Sequence, residues 1–129
     1  MKTYSFLILI FLLAGCVTPV GDGRRVVDLI INSTNTPKTT SVLQGITSDI
    51  RVNGADLCYK FEYFEVKNPS NLIFEINAKG SFPEGNPVCA QAIYSKDTIV
   101  RIQPPVPGTY VLKYYNGNTL FKSDTVTVN

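Results

Sequence analysis

The sequence predicts an all-β protein, a single antiparallel sandwich of about seven or eight short strands. Two observations carry this prediction. Short segments in which apolar and polar residues alternate recur along the chain, with turn-forming residues between them. From residue 25 onward no segment has the 3.6-residue period of an amphipathic helix. Strict alternation is typical of strands that bury one face only, as antiparallel sheets do.

Three strands are predicted in the first half of the domain: 26–31, 46–52 and 57–67. The polar segment 32–38 predicts a loop after the first strand. Asn53-Gly54 predicts a tight turn after the second, because both residues tolerate positive φ. In the third strand the alternation slips at Tyr63-Phe64, which indicates a bulge or a change of sheet.

Five strands are predicted in the second half: 72–79, 88–94, 98–103, 109–115 and 120–128. The strand 72–79 places Phe74, Ile76 and Ala78 on one face and polar residues on the other. Asn68 to Asn71 predicts a turn, 81–87 a loop and 104–108 a rigid corner. The hairpin turn between the last two strands falls at 116–118.

The N-terminal segment has the three parts of an export signal. Lys2 supplies a positive start, Tyr4 to Leu13 is almost entirely apolar, and small residues then lead to Cys16. The apolar run is shorter than the roughly 20 residues that a spanning helix needs, and it fits a signal-peptide core of roughly 7–15 residues. The four residues that close it are Leu13-Ala14-Gly15-Cys16, and they resemble the lipobox of bacterial lipoproteins.

This resemblance implies a lipoprotein precursor with a cleaved signal peptide at 1–15. Cys16 would become the mature N-terminus, linked to diacylglycerol, and its acyl chains would hold the protein to a membrane. Residues 16–24, which contain Pro and Gly, predict a flexible tether, and 25–129 predicts the β-sandwich domain. The expected localisation is the cell envelope. The residue directly after the cysteine is Val17 and not Asp, which is similar to lipoproteins that Gram-negative bacteria sort to the outer membrane. In a Gram-negative organism the expected location is therefore the outer membrane.

Cys58 and Cys89 remain once Cys16 is lipidated. An even number of cysteines in an exported chain predicts a disulfide, because the compartment is oxidising. The bond would join the long strand that starts at Leu57 to the strand that starts near Val88. Two buried free thiols, or a pair too far apart to bridge, are the alternatives.

The segment 104–128, with its Pro-Gly-Thr-Tyr sequence, alternating strand, glycine turn and Thr/Val strand, resembles the last two strands of bacterial immunoglobulin-like domains. The resemblance covers about a fifth of the chain. It implies that Tyr110 forms a tyrosine corner, with a buried ring and a hydroxyl bonded to backbone upstream. The chain departs from antibody-type domains because it contains no Trp and because both cysteines precede the final hairpin.

Composition argues against most catalytic chemistry and against several ligand classes. There is no histidine, which removes the commonest general base and metal ligand. We therefore expect no enzyme activity, no metal and no cofactor. Loss of Lys2 with the signal leaves a net charge of about +1 with no basic cluster, so no nucleic-acid partner is expected either.

Aromatic residues are the remaining candidates for function. Tyr114-Tyr115 must point to opposite faces of one strand, so one ring is expected outside, near Phe121. Phe82, in the loop 81–87, is a second candidate partner-binding residue. These four aromatic residues either fill the core or form an exposed surface for an envelope protein or a glycan.

Three functions are consistent with these observations. A non-enzymatic, lipid-anchored binding or structural module fits all of them. An inhibitor of an exported protease would act through loops at one end of the sandwich, at 68–71 or 82–87. A carboxylate-dependent hydrolase is the weakest of the three, because the acidic residues are scattered over alternating strand faces.

Overall fold

The computed structural model describes residues 23–129, so the predicted signal peptide, Cys16 and most of the predicted tether lie outside the described residues. Within this range the chain forms strands only, and no helix there is long and apolar enough to cross a membrane. The strands are β1 (Arg24–Asp28), β2 (Ile30–Asn35), β3 (Thr39–Thr40), β4 (Ile46–Gly54), β5 (Lys60–Ser70), β6 (Ile73–Pro83), β7 (Tyr94–Ile102), β8 (Gly108–Asn116) and β9 (Thr119–Val128).

The strands form two sheets, which confirms the all-β prediction. The large sheet has six strands, in the order β1-β6-β8-β9-β3 with β5 paired to β6, and the small sheet has the order β2-β4-β7. The prediction of a purely antiparallel arrangement is wrong, because β6 pairs with β8 and β3 pairs with β9 in parallel. Between β6 and β8 the chain crosses to the small sheet as β7, so it returns to the large sheet running in its earlier direction.

The inner faces of the two sheets share one apolar core. Alternation predicted this face correctly in β6, where Phe74, Ile76 and Ala78 are buried, and in β8, where Tyr110 and Leu112 are buried. Further buried side chains come from the small sheet, from β9 and from the β1–β2 junction: Leu29, Ile31, Ile46, Ile50, Val52, Val100, Ile102, Val126 and Val128. Removing this apolar area from water is the main force that holds the sheets together.

The run 26–31, predicted as one strand, is divided between the two sheets. β1 pairs with β6 of the large sheet, and β2 pairs with β4 of the small sheet. Leu29 lies at the crossing, fully buried, and its N–H donates to the Ala78 carbonyl oxygen at 3.0 Å. The predicted loop at 32–38 is also wrong in part, because Asn32–Asn35 continues β2 beside β4.

Asn53-Gly54 ends β4 instead of forming the predicted turn. The reason is a close approach, since a Cβ atom on Gly54 would overlap the Cβ of Tyr59. Tyr59 itself precedes β5, which begins at Lys60 and not at Leu57. The bulge in β5 lies between Phe61 and Tyr63, one step earlier than predicted, and it brings Phe61 and Phe64 together with ring centroids 4.9 Å apart.

The predicted strand at 88–94 is also wrong, since β7 begins only at Tyr94. Ser81–Pro83, predicted as the start of a loop, belong to β6 because they pair with β1. Likewise β5 continues into the turn predicted at 68–71 and ends at Ser70. Residues 84–93 do not pair with a strand of either sheet, and Val88 in this segment is fully exposed. The β-branched residues of the segment therefore do not pack into the core. We call residues 55–59 and 84–93 together the disulfide tip.

The disulfide prediction is confirmed. Cys58 and Cys89 are bonded, with their Cα atoms 5.4 Å apart. Both cysteines lie in loops instead of in the two strands that the sequence suggested. The bond therefore links the segment before β5 to the segment before β7 and cross-links the disulfide tip.

Candidate functional site

The two adjacent tyrosines of β8 have opposite surroundings. Tyr114 is completely buried in the core, so it is the inward member of the pair. Tyr115 is the outward member, half-buried on the outer face of the large sheet. The alternation of β8 requires this difference, because the preceding inward residues are Tyr110 and Leu112.

Tyr114 belongs to a polar network inside the core. Its hydroxyl donates to the buried Ser48 Oγ at 2.8 Å and lies 2.7 Å from Thr36 Oγ1, which in turn donates to Asp124 Oδ2 at 2.8 Å. Burial is the main cause of a raised pKa for Tyr114, so this hydroxyl stays protonated at neutral pH. The network joins β4 of the small sheet to β8 and β9 of the large one, which makes its role structural.

Tyr110 lies near the start of β8, just after the corner that leads into this strand. The ring is buried, and the hydroxyl donates to the Val106 carbonyl oxygen at 2.7 Å. These are the two features that the resemblance to a tyrosine corner implies. The hydrogen bond fixes the loop that leads from β7 into β8.

A shallow groove surrounds Tyr115 on the outer face of the large sheet. Register explains its composition, because Glu65, Asn77, Tyr115 and Leu120 are successive neighbours across β5, β6, β8 and β9. We call it the Tyr115 groove, and its lining residues are Glu65, Lys67, Glu75, Asn77, Tyr115, Gly117 and Asn118. It encloses about 180 Å³, which is less than the roughly 300–1,000 Å³ of most small-molecule pockets.

Two rows of polar groups give the groove its chemistry. Lys67, Glu75 and Lys113 alternate in charge across one row of the sheet. In the other row the side-chain amide of Asn77 donates to the Gly117 carbonyl oxygen at 3.0 Å, which fixes the orientation of its acceptor oxygen. The groove therefore offers donors, acceptors and one aromatic ring on an open surface.

Lys79 borders the groove and is already paired. Its Nζ donates to Asp28 Oδ1 at 2.5 Å and lies 3.8 Å from Glu65 Oε2. The hydrogen bond to Asp28 is the main cause of a raised pKa for Lys79, which keeps the ammonium group charged. Lys79 thus positions Glu65 at the edge of the groove.

The other two aromatic candidates lie elsewhere. Phe121 is exposed at a bulge in β9, beside Leu120, which is opposite Tyr115. Phe82 lies near the C-terminal end of β6. The centroid of its ring is 4.9 Å from that of Tyr59, and Cζ of the Arg25 guanidinium lies 5.5 Å from the same centroid. The structure therefore does not gather the four predicted residues into one site.

A group of three potential metal ligands, Asp56 with Cys58 and Cys89, occurs within residues 23–129. The cysteines are joined in the disulfide, so neither offers a thiolate. Asp56 Oδ1 accepts a hydrogen bond from the Cys58 N–H at 2.9 Å. This group stabilises the disulfide tip and is not arranged to hold a metal.

The outer face of the small sheet carries an exposed ion pair. Arg51 Nε and a second guanidinium nitrogen donate to the two carboxylate oxygens of Asp97 at 2.6 and 3.0 Å. This hydrogen bond is the main cause of a lowered pKa for Asp97 and a raised pKa for Arg51. The two residues are cross-strand neighbours of β4 and β7, so they satisfy each other and offer no unpaired charge.

None of the family models, curated proteins or solved structures compared with the chain matches it. The groove must therefore be interpreted from its own residues. Sequence alternation had already placed Glu75 and Asn77 on the polar face of their strand. It gave no sign that Glu65, Gly117 and Asn118 would join them, because those residues come together only through the order of the strands.

Proposed function

We propose that this protein is a lipid-anchored lipoprotein of the cell envelope with a non-enzymatic binding module. The module is an immunoglobulin-like sandwich that needs no cofactor or metal, and it binds an oligosaccharide of the envelope in the Tyr115 groove. The observation that carries the proposal is the row Glu65, Asn77 and Tyr115 on an open sheet face. The anchor is supported by Leu13-Ala14-Gly15-Cys16, and the outer membrane is the expected location in a Gram-negative organism.

The immunoglobulin-like assignment has two supports. The two sheets enclose one core. The Tyr110 hydroxyl donates to the Val106 carbonyl oxygen at 2.7 Å, which fixes the corner before the last hairpin. The parallel pairing of β6 with β8 is compatible with a sandwich in which the chain alternates between sheets.

An oligosaccharide fits the Tyr115 groove better than a compact apolar ligand. A sugar ring has an apolar C–H face for an aromatic ring and hydroxyl edges that need both donors and acceptors. The groove presents a half-buried tyrosine, an oriented amide, two carboxylates and one lysine. Its small volume and open shape suit a chain that lies across the surface, not a ligand that is engulfed.

The alternatives have weaker support. A protease inhibitor acting through 68–71 needs a projecting loop, but Asn68–Ser70 lies within β5. A hydrolase needs carboxyl groups held in a cleft that excludes water, whereas Glu65 and Glu75 are on an open face with lysines nearby. Both glutamates are better placed to accept hydrogen bonds from sugar hydroxyls.

The test is binding to an array of bacterial envelope oligosaccharides, followed by titration calorimetry with the best ligand. Tyr115→Ala and Asn77→Ala should each weaken binding about tenfold or more, since each removes a central contact. Ile99→Ala, on the outer face of the small sheet, is the matched control and should bind normally. Equal affinity in all three variants would contradict the proposed site.

A further inference from the structure

A second surface of the molecule, the disulfide tip, exposes large aliphatic side chains. Val88 is fully exposed, and Ile93 and Leu57 are 68% and 51% exposed. Leu57 and Val88 belong to one surface, because the disulfide joins their neighbours and the Leu57 N–H donates to the Ala90 carbonyl oxygen at 3.3 Å. Ile93 lies three residues beyond Ala90 in the same segment. Contiguous apolar groups on a small domain mark a contact surface.

Polar contacts at its base hold the disulfide tip in place. The Arg24 guanidinium donates to the carbonyl oxygens of Cys58 and Ser81, at 2.6 and 2.9 Å. Together with the disulfide, these bonds order both loops before any partner is met. Folding therefore already orders the loops that carry the apolar residues, so that binding a partner costs little further conformational entropy.

The chain enters the domain at this same end. β1 begins at Arg24, opposite Pro83, and the Glu84 N–H donates to the Gly23 carbonyl oxygen at 2.6 Å. A fully extended chain from Cys16 to Gly23 reaches at most about 25 Å. A lipid on Cys16 would keep Gly23, and with it the base of the disulfide tip at Glu84, within that distance of the bilayer surface.

The opposite end of the sandwich also exposes apolar residues, Leu43 at 96% and Val106 at 56%. It lies much farther from the tether. β4 runs from Ile46 at that end to Gly54 at the disulfide tip, and a strand of this length spans roughly 27 Å. Position relative to the tether therefore distinguishes the two ends.

We propose that the disulfide tip docks on the membrane, with Val88, Ile93 and Leu57 inserted into the interface of the bilayer that holds the acyl chains of Cys16. This inference rests on the lipid anchor of the proposed function and adds to it. The tip supplies a second membrane contact beside the lipid, and its apolar burial adds to the binding strength. Docking orients the strands away from the bilayer and leaves the Tyr115 groove open at the side.

The experiment uses tryptophan fluorescence, because the natural chain contains no Trp. Full-length Val88→Trp is produced in bacteria, acylated, and reconstituted into phosphatidylethanolamine–phosphatidylglycerol vesicles with and without brominated acyl chains. Leu43→Trp, at the opposite end, is the matched control. Docking predicts a blue-shifted emission and strong bromine quenching for Val88→Trp only. Val88→Asp should lower the vesicle partition coefficient of the acylated protein roughly tenfold.

The mass of the N-terminal peptide and vesicle flotation, measured on the same samples, separate the two proposals. Lipid mass and flotation without quenching of Val88→Trp would overturn docking and leave the anchor standing. Equal quenching of both variants would also overturn docking at this end. A blue shift without bromine quenching would overturn it in favour of a protein contact. Absence of both lipid mass and flotation would reject the anchor, and docking with it.

Discussion

The two faces of the large sheet differ in how their residues are used, and Tyr114 and Tyr115 show the difference most directly. Tyr114 points inward, is fully buried, and its hydroxyl is bonded to Ser48 and Thr36. Tyr115 points outward, and within residues 23–129 its hydroxyl makes no hydrogen bond. Tyr114 therefore contributes to stability, whereas Tyr115 is the residue to which we assign the proposed binding role.

The difference teaches that the surroundings of an aromatic residue, not its type, decide whether its hydroxyl is bonded within the core or exposed at the surface. An inward tyrosine must find a partner for its hydroxyl, because an unpaired buried hydroxyl costs free energy. An outward tyrosine needs none and keeps its hydroxyl for a ligand. Four predictions test how far this separation holds.

Replacing the inward residue should have the largest effect. Tyr114→Ala removes a buried aromatic ring and is expected to lower the free energy of unfolding by about 3–5 kcal/mol. Tyr115→Ala removes a cross-strand contact with Leu120 and should cost less than about 1 kcal/mol. Urea unfolding followed by circular dichroism measures both values. Similar losses in the two variants would show that Tyr115 is also a core residue.

The disulfide tests whether a surface region can also contribute stability. Cys58→Ala with Cys89→Ala opens a cross-link between residues 31 apart, and the chain-entropy model predicts a loss of roughly 3.5–4 kcal/mol. In that model the disulfide raises the free energy of unfolding because it restricts the unfolded chain, and not because it buries apolar area. The midpoint of urea unfolding should fall to that of the reduced wild-type protein. An unchanged midpoint would show that the bond only orders the disulfide tip.

The sequence predicted well those parts that depend on local alternation. The inward faces of β6 and β8 and the disulfide pair were all recognisable, because each reflects a residue pattern or a compartment rule. Alternation also required one of Tyr114 and Tyr115 to point outward. Which of them did so followed from Tyr110 and Leu112, whose burial depends on the opposite sheet.

Features that depend on strand order were not predictable. β1 and β2 have one continuous strand pattern, and only packing sends the chain to the other sheet at Leu29. Gly54 looked like a turn residue, whereas its small size admits Tyr59. The Tyr115 groove belongs to the same class, since it combines residues from β5, β6 and the β8–β9 turn.

The smallest expected effect isolates the polar network from the packing of the ring. Tyr114→Phe keeps the ring and removes the hydroxyl, while Ser48 Oγ retains Thr36 Oγ1 at 2.9 Å as a partner. The expected loss is therefore about 1 kcal/mol, the typical net value of one hydrogen bond. Urea unfolding at neutral pH measures it. Tyr115→Phe is the matched control and should unfold like the wild type.

The same variant carries a pH signature that ring packing alone would not produce. Since burial raises the pKa of Tyr114 above its ordinary 10.0, the unfolded chain loses this proton first as pH rises. The unfolded state then binds fewer protons than the folded state, so the contribution of Tyr114 is complete below pH 10 and declines above it. The stability gap between wild type and Tyr114→Phe should narrow over that range, as unfolding curves in alkaline buffers would show. A gap that stays constant there would mean that the hydroxyl is not held protonated by burial, and that the inner face differs from the outer one by packing alone.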